Sequence, residues 1–320
     1  MAPGCPGRTL HKINGVPEPV ISIAGLHKSY GNFEAVRGID LTVERGQIFA
    51  VLGPNGAGKT TTVEILEGYR DRDGGEVDVL GCDPADPPRS WRERIGIVPQ
   101  ETALEGYLTV RESLELYAGY YEAPGDIDQV IGLVGLEDKA DSRAGKLSGG
   151  QQRRLDVGIA LVGDPELLFL DEPTTGFDPS ARRHAWEMIA GLRDLGKTVL
   201  LTTHYMDEAQ FLADRVAIIN RGRIIAEDTP ENLGGREDQP ARITFRIAST
   251  ADPRVFDPFT GLEISEPDEN DLREAVMETT SPVEDVNAVT GAAIAAGVEL
   301  IGLEVRRPTL EDVYLEMTDA

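Results

Sequence analysis

The stretch Gln47-Ile-Phe-Ala-Val-Leu52, followed without a break by Gly53-Pro54-Asn55-Gly56-Ala57-Gly58-Lys59-Thr60, decides how this chain folds. A continuous apolar run of that length is expected of a strand buried on both faces, as in a parallel sheet covered by helices. The eight residues after it have the spacing G-x-x-x-x-G-K-T, and the segment from Thr61 onward reads as a helix. Glycines at those positions let successive backbone N–H groups curl round an anion, and a helix start behind them adds favourable partial positive charge. A strand, a glycine-rich turn and a helix in this order predict a phosphate-binding loop in an α/β nucleotide-binding fold. Within it Lys59 is expected to reach the β and γ phosphates. Thr60 is expected to offer its hydroxyl to Mg²⁺, which prefers a few hard oxygen ligands together with phosphate oxygens.

A second buried strand is read from Leu167-Leu-Phe-Leu170, and it delivers two carboxylates, Asp171 and Glu172, at its carboxyl tip. Ligands of open α/β sheets bind at that edge. Asp171 is the expected Mg²⁺ ligand, directly or through water, and Glu172, one residue further, the general base on an attacking water. A third apolar run, Thr198-Val-Leu-Leu201, ends in Thr202-Thr-His-Tyr-Met-Asp-Glu208 and so brings His204 to a strand end as well.

Between the phosphate loop and the acidic strand stands Leu147-Ser148-Gly149-Gly150-Gln151, continued by Gln152-Arg-Arg-Leu155. Ser148, Gly149 and Gly150 look like a second anion cradle at a helix start, with no nucleotide of its own beside it. With this pentapeptide in this order relative to the other motifs, the chain resembles the ATP-binding-cassette (ABC) ATPases over roughly residues 20–228. The resemblance implies that ATP, with Mg²⁺, is held by Gly53 to Thr61 of one subunit and by Ser148 to Gln151 of a second copy. It implies further that Tyr30 stacks on adenine and that Gln100, in Gly96-Ile-Val-Pro-Gln100, contacts Mg²⁺ or the attacking water. His204 would bond the γ-phosphate, and Asp178, in Thr174-Thr-Gly-Phe-Asp178, would order the opposite site across the dimer. Phe177 stands where the family more usually has leucine, which bears on local packing there. A separate polytopic membrane permease would receive the work, with this subunit on the cytoplasmic face of the membrane.

Outward from these motifs, Val20-Ile-Ser-Ile-Ala24 and Ile39 to Val43 read as strands of one sheet. Ser113 to Tyr121 and Asp126 to Val134 have helical spacing and acidic starts, which suggests a small helical subdomain at about 101–160 within an ATPase domain spanning 20–230. By the resemblance, Tyr107-Leu-Thr-Val110 and Arg111 are candidates for contact with the membrane protein, ordinary packing being the alternative. After Asp228, Pro230, Gly234, Gly235 and Pro240 suggest a linker to a small α+β domain at 240–320. There Arg242 to Ile247 and Leu300 to Val305 read as strands, Val283 to Gly297 as a helix, and Thr309 to Leu315 as a closing helix. Pro308-Thr-Leu-Glu-Asp-Val-Tyr-Leu315 and Leu66-Glu-Gly-Tyr-Arg70 resemble segments of the daunorubicin-resistance type of exporter ATPase.

The chain has 320 residues, 40% of them hydrophobic, enough for one large or two ordinary domains with real cores. With 56 acidic against 31 basic residues and a net charge of -25, it argues against nucleic acid as a partner, which requires clustered Lys and Arg. The two cysteines, Cys5 and Cys82, argue against a disulfide framework and fit a reducing compartment. Residues 1–19 have no apolar central region, so they read as a disordered leader rather than a signal peptide. No stretch offers the roughly 20 apolar residues of a membrane span. An importer subunit and a non-transport ABC ATPase of the iron–sulphur assembly kind stay open as alternatives. Relatives with two cassettes or long coiled-coil insertions do not fit one phosphate loop and the short stretch from Thr61 to Lys146.

Overall fold

The computed structural model describes residues 19–101, 104–235, 239–307 and 309–319. The expected disordered leader, apart from its last residue, lies outside that set, as do Pro308 and part of the expected linker. The chain divides into two compact units, Met1–Pro230 and Glu231–Ala320.

In the first unit, β1 (Ile21–Tyr30) and β2 (Phe33–Val43) pair antiparallel and bury Ile21, Ile23, Val36, Ile39 and Val43. The run that opens the phosphate loop is β3 (Ile48–Leu52), every residue of it buried. The helix behind the loop, α1 (Lys59–Leu66), starts two residues before the expected Thr61. Gly58, at φ 107°, turns the chain sharply enough for Lys59 to stand already in the first helical turn. β4 (Gly74–Val79) adds to the other edge of β1 in a sheet of order β2-β1-β4. On the short α2 (Arg89–Arg92), Trp91 is buried and its indole N–H donates to the Val79 carbonyl at 2.7 Å, and β5 (Ile95–Val98) follows.

Next come α3 (Val110–Ala118), α4 (Ile127–Leu133) and α5 (Gly149–Leu161), which pack on one another around Leu114, Val130, Val134 and Leu155. The helix expected from Ser113 begins earlier because Thr109 caps it. Thr109 Oγ1 accepts the Glu112 N–H, and the Glu112 carboxylate accepts the Thr109 N–H. Of the segment 107–111, Val110 is consequently buried, Thr109 is committed to the cap, and Arg111 binds Asp128 at 2.7 Å. Tyr107 alone among its large apolar side chains stays exposed.

The remaining elements are β6 (Leu167–Asp171), α6 (Pro179–Asp194), β7 (Thr198–Thr203), α7 (Met206–Leu212), β8 (Arg215–Asn220) and β9 (Arg223–Asp228). Together with β3 and β5 the strands make a sheet of order β5-β6-β7-β3-β8-β9, parallel throughout except for β9. The register sets Leu52 beside Thr203 and Asp171 beside Thr202, so β3, β6 and β7 end level on one edge. The β8–β9 turn is made by Arg221 and Gly222, both at positive φ (48° and 79°), as a two-residue hairpin requires. Its tip is fastened on both sides: the Gly222 N–H donates to the Ala57 carbonyl at 2.9 Å, and the Gly222 carbonyl accepts from the Arg37 N–H at 2.8 Å. Among the described residues no helix is long and apolar enough to cross a membrane.

In the second unit, β10 (Ala241–Ala248), β11 (Leu262–Ile264), β12 (Leu272–Thr279) and β13 (Ile301–Arg306) form an antiparallel sheet of order β11-β12-β10-β13. Ile243, Phe245, Ile247 and Met277 pack with Val289 and Ala293 of α8 (Pro282–Ala296), and α9 (Leu310–Asp319) closes the chain. β11 and β12 were not expected from the sequence. β12 sends Ala275, Met277 and Thr279 inward and Leu272 and Val276 to the other face, so no clean apolar alternation marks it. Cys82 is buried, and the other cysteine, Cys5, lies outside the described residues.

One buried acid ties the first unit together. Glu208, on α7, is 0% exposed, and its Oε1 accepts from Thr174 Oγ1 at 2.6 Å and Trp186 Nε1 at 3.0 Å. Burial pushes its carboxyl above the ordinary carboxylate range, against the pull of these donors. A carboxyl with a folded pKa above its unfolded value stabilises the fold fully below the unfolded value. It loses that contribution as pH rises through the folded one. Glu208→Gln keeps the acceptor and removes the titration. Its melting temperature should therefore gain on that of the wild type as pH is raised from 5 to 9, and a constant difference across that range would exclude this effect.

Candidate functional site

The loop after β3 is shaped by its glycines. A Cβ on Gly53 would lie 2.3 Å from the Ile219 carbonyl oxygen, and one on Gly58 would lie 2.5 Å from that of Ala35, so neither position tolerates a side chain. The loop closes on itself through the Ala57 N–H, which donates to the Pro54 carbonyl at 3.2 Å. Lys59 is only 5% exposed and folds back under the loop, its Nζ donating to the carbonyls of Gly53 at 2.7 Å and Pro54 at 3.3 Å. Burial pushes its ammonium below the ordinary value, opposed by the nearby Glu172 and Asp171. Asn55 and Gly56 form the exposed crest between them.

Because β3, β6 and β7 end level, the tips of the other two strands meet this loop. Asp171 is buried and accepts the Thr60 hydroxyl at 3.3 Å through Oδ2, and the Thr202 hydroxyl through Oδ1. Glu172 leaves β6 in the left-handed region, at φ 46°, and its N–H donates to Thr202 Oγ1 at 3.0 Å. A non-glycine residue held there costs on the order of 1–3 kcal/mol, which surrounding contacts must offset. They are abundant. Glu172 Oε1 lies 3.5 Å from Lys59 Nζ and 3.3 Å from His204 Nδ1, while Oε2 accepts from Thr175 Oγ1 at 3.1 Å and Gln100 Nε2 at 3.4 Å. His204 Nδ1 makes this approach without an aligned hydrogen bond. Burial raises the Glu172 carboxyl, but Lys59, His204 and Thr175 more than offset it and hold the group below its ordinary value. An ionised carboxylate thus stands beside a buried ammonium at the mouth of a phosphate loop.

The glycine-rich helix start lies on another side of the same carboxylate. Ser148 and Gln151 form a reciprocal capping box at the head of α5, which leaves the first-turn N–H groups of Gly149 and Gly150 directed outward from the helix. A cavity of about 360 Å³ is lined by Ser148, Gly149, Gly150, Gln100, Glu172 and Asp178, among others. Asp178 is engaged locally: its Oδ1 accepts the N–H groups of Ser180 and Ala181, both at 2.9 Å, as N-cap of α6. His204 is braced from behind by Tyr205 (ring centroids 4.0 Å apart), over whose ring the Arg182 guanidinium lies at 4.3 Å. Tyr30 is not drawn into the carboxylate cluster. It ends β1, 42% exposed, with the Arg70 guanidinium 5.4 Å and Lys28 Nζ 5.7 Å from its ring centroid.

Sequence reasoning thus named Lys59, Thr60, Gln100, Asp171, Glu172 and His204, which the fold brings together, but not Thr202 or Thr175. Thr202 orients both acidic residues, and its signal was positional only, as the residue two before His204 at the end of a strand. Among the described residues no group of three His, Cys, Asp or Glu side chains is arranged to hold a metal. Thr60 and Asp171 meet at the loop and offer hard oxygens of the kind Mg²⁺ takes when phosphate and water complete its shell.

The family model described as "ABC transporter" matches residues 36–175. A daunorubicin resistance ATP-binding protein of Streptomyces coeruleorubidus is 37% identical over 311 residues, covering 94% of this chain and 96% of that protein. The Nod factor export ATP-binding protein I of Rhizobium meliloti is 37% identical over 317 residues, covering 94% and 89%. Among solved structures, the dimeric post-hydrolysis state of an ATP-binding cassette bound to ADP and phosphate superposes with a TM-score of 0.59 at 25% identity. That match covers 65% of this chain and 98% of the cassette. The family model lies within the first unit, whereas the matches to the curated relatives cover nearly the whole chain. A phosphate loop, an acidic strand tip and a glycine-rich helix start in one sheet architecture, with identity at this level along nearly the whole chain, make this protein a member of the ABC transporter ATP-binding proteins, of the daunorubicin-resistance type.

Proposed function

We propose that the chain is the ATP-hydrolysing subunit of an exporter, working from the cytoplasmic face of the membrane on a separate polytopic permease. The observation that carries the reading is the environment of Glu172: an ionised carboxylate held among Lys59, His204, Gln100 and Thr175 at a level with the phosphate loop. The backbone N–H groups of Gly53 to Thr61 would receive the phosphates, and Lys59 would exchange its bonds to the Gly53 and Pro54 carbonyls for the β and γ oxygens. Thr60 and Asp171, with Gln100, would hold Mg²⁺, which neutralises charge on the phosphates when bound. Glu172 would orient the attacking water and take its proton, with His204 keeping water and γ-phosphate in register. Tyr30 would offer its exposed ring to adenine.

ABC cassettes form dimers, and the outward N–H groups at Gly149 and Gly150 support a site shared between two copies of this chain. In that arrangement ATP is sandwiched between Gly53–Thr60 of one protomer and Leu147–Gln151 of its partner. Hydrolysis removes the bridge and lets the halves part, shifting a two-state equilibrium in the permease. The direction of transport is read from relatives named for daunorubicin resistance, Nod factor export and linearmycin resistance. The net charge of -25 weighs against nucleic acid as a partner.

Glu172→Gln should bind ATP, lose turnover by roughly 100-fold or more, and accumulate as an ATP-bound dimer by light scattering after gel filtration. Turnover within a few-fold of wild type would remove Glu172 from the role of base. His204→Ala should reduce kcat severely with little change in ATP affinity, and a comparable loss of affinity would instead make it a binding residue. Tagged Glu172→Gln, purified from its native cells in mild detergent with ATP and Mg²⁺, should bring a polytopic membrane protein with it. Recovery of soluble partners alone would overturn the exporter reading.

A further inference from the structure

Arg153 is a buried charge that the hydrolytic scheme does not use. It stands on α5, one turn in from the Ser148–Gly150 helix start, and is 6% exposed. Its guanidinium does not close on one carboxylate, Asp156 being the nearest described ion-pair partner at 4.0 Å. It donates instead to three backbone carbonyls: Nη2 to Asp171 at 2.7 Å, Nε to Pro173 at 3.2 Å, and Nη1 to Pro99. Each lies where a strand ladder runs out. Pro99 follows the last residue of β5, Asp171 ends β6, and Pro173 comes two residues later. Buried carbonyls without a partner are costly, and at strand tips the sheet no longer supplies one. A planar fork with five donors can serve three acceptors at once, which a lysine ammonium, a point charge on a flexible stem, reproduces only in part.

The position of those carbonyls is what gives the arrangement a role. Pro99 directly precedes Gln100, and Asp171 and Pro173 flank Glu172 on both sides, so one side chain fixes the backbone on which both groups stand. Gln100 Nε2 and Glu172 Oε2 meet at 3.4 Å, a separation set by these two backbone segments and by nothing covalent between them. We infer that Arg153 is a positioning residue for hydrolysis, a tie from the glycine-rich helix to the Gln100 and Glu172 backbones that holds the two side chains at their working separation. Its three hydrogen bonds go to backbone carbonyls, so it acts through Gln100 and Glu172 rather than on a reacting atom. Because the tie is rooted one turn from Gly149 and Gly150, displacing the Gln100 segment also pulls on the helix start offered to the partner's nucleotide. The inference rests on the proposed roles of Glu172 and Gln100.

The test uses the full-length protein and two variants, Arg153→Gln and Arg153→Lys. Turnover is measured against ATP concentration, binding of a fluorescent ATP analogue at equilibrium, and folding by thermal denaturation. Arg153→Gln should lower kcat roughly 10- to 100-fold, the scale of a displacement near 1 Å at a reacting centre. KM and analogue affinity should stay within about twofold, because the phosphate loop is untouched. Arg153→Lys should fall between Arg153→Gln and wild type. Added to Glu172→Gln, Arg153→Gln should cause no further loss, since both act on one step. Wild-type kcat in Arg153→Gln, or a fall in kcat matched by an equal loss of affinity, overturns the inference. Where Arg153→Gln does not fold, Arg153→Lys decides: reduced kcat at unchanged KM supports the tie, and wild-type kcat leaves Arg153 a purely stabilising role. An active Glu172→Gln would instead unseat the base while leaving the Arg153 result to be read against Gln100.

Discussion

Three parallel strands of one sheet, β3, β7 and β6, stop at the same level, and the chemistry of this protein depends on that alignment. Hydrogen bonding in register sets Leu52 against Thr203 and Asp171 against Thr202. Whatever follows each strand leaves from one edge: the phosphate loop from β3, the acidic pair from β6, the histidine from β7. Residues more than a hundred positions apart in sequence, such as Thr60 and Asp171, come within hydrogen-bond reach without any loop having to cross the sheet. A slip of one residue in any of these pairings would turn Asp171 to the other face and separate it from the hydroxyls of Thr60 and Thr202.

The electrostatics of the cluster follow from its burial. Lys59 and Glu172 are both nearly inaccessible to water, so each would be expensive alone, and each is the other's principal compensation. The balance is not a closed ion pair, since Lys59 spends its short bonds on the Gly53 and Pro54 carbonyls and sits 3.5 Å from Glu172. Under the proposed function those carbonyl bonds are the ones phosphate oxygens would replace, whereas the threonine bonds that hold Asp171 and the Glu172 backbone lie within the sheet. The site is therefore rigid where the carboxylates are anchored and exchangeable where an anion enters.

Much of this was legible because the decisive groups are encoded in short contiguous segments. A loop of glycines followed by Lys59 and Thr60, or an apolar run ending in Asp171-Glu172, carries its physical meaning locally. What the sequence concealed is what depends on registry between distant strands. Thr202 and Thr175 are ordinary residues until Asp171 and Glu172 are placed beside them, and Arg153, visible within the Gln152-Arg-Arg-Leu155 segment, reveals its partners only when two strand tips converge on it. Asp178 was expected to act across a dimer, and within one chain it caps α6, a role that Pro179 immediately after it already signalled. In the second unit, β12 escaped notice because its inward residues include Ala275 and Thr279 while Leu272 and Val276 point the other way. α3 starts at Val110, ahead of the apolar spacing that begins at Ser113, because the Thr109–Glu112 pair caps it there.

The fastening of the β8–β9 hairpin has a consequence for how nucleotide is exchanged. Gly222 is bonded to Ala57 on one side and Arg37 on the other, and the absence of a side chain at Gly58 lets the Ala35 backbone close in behind. The loop is thereby gripped from outside by two further elements, and its curvature is set by the protein's own hydrogen bonds. A receptor that need not be ordered by its ligand spares the entropy of ordering on association. Release then requires no unfolding of the loop either. A cradle of fixed shape leaves any larger rearrangement to the segments around it.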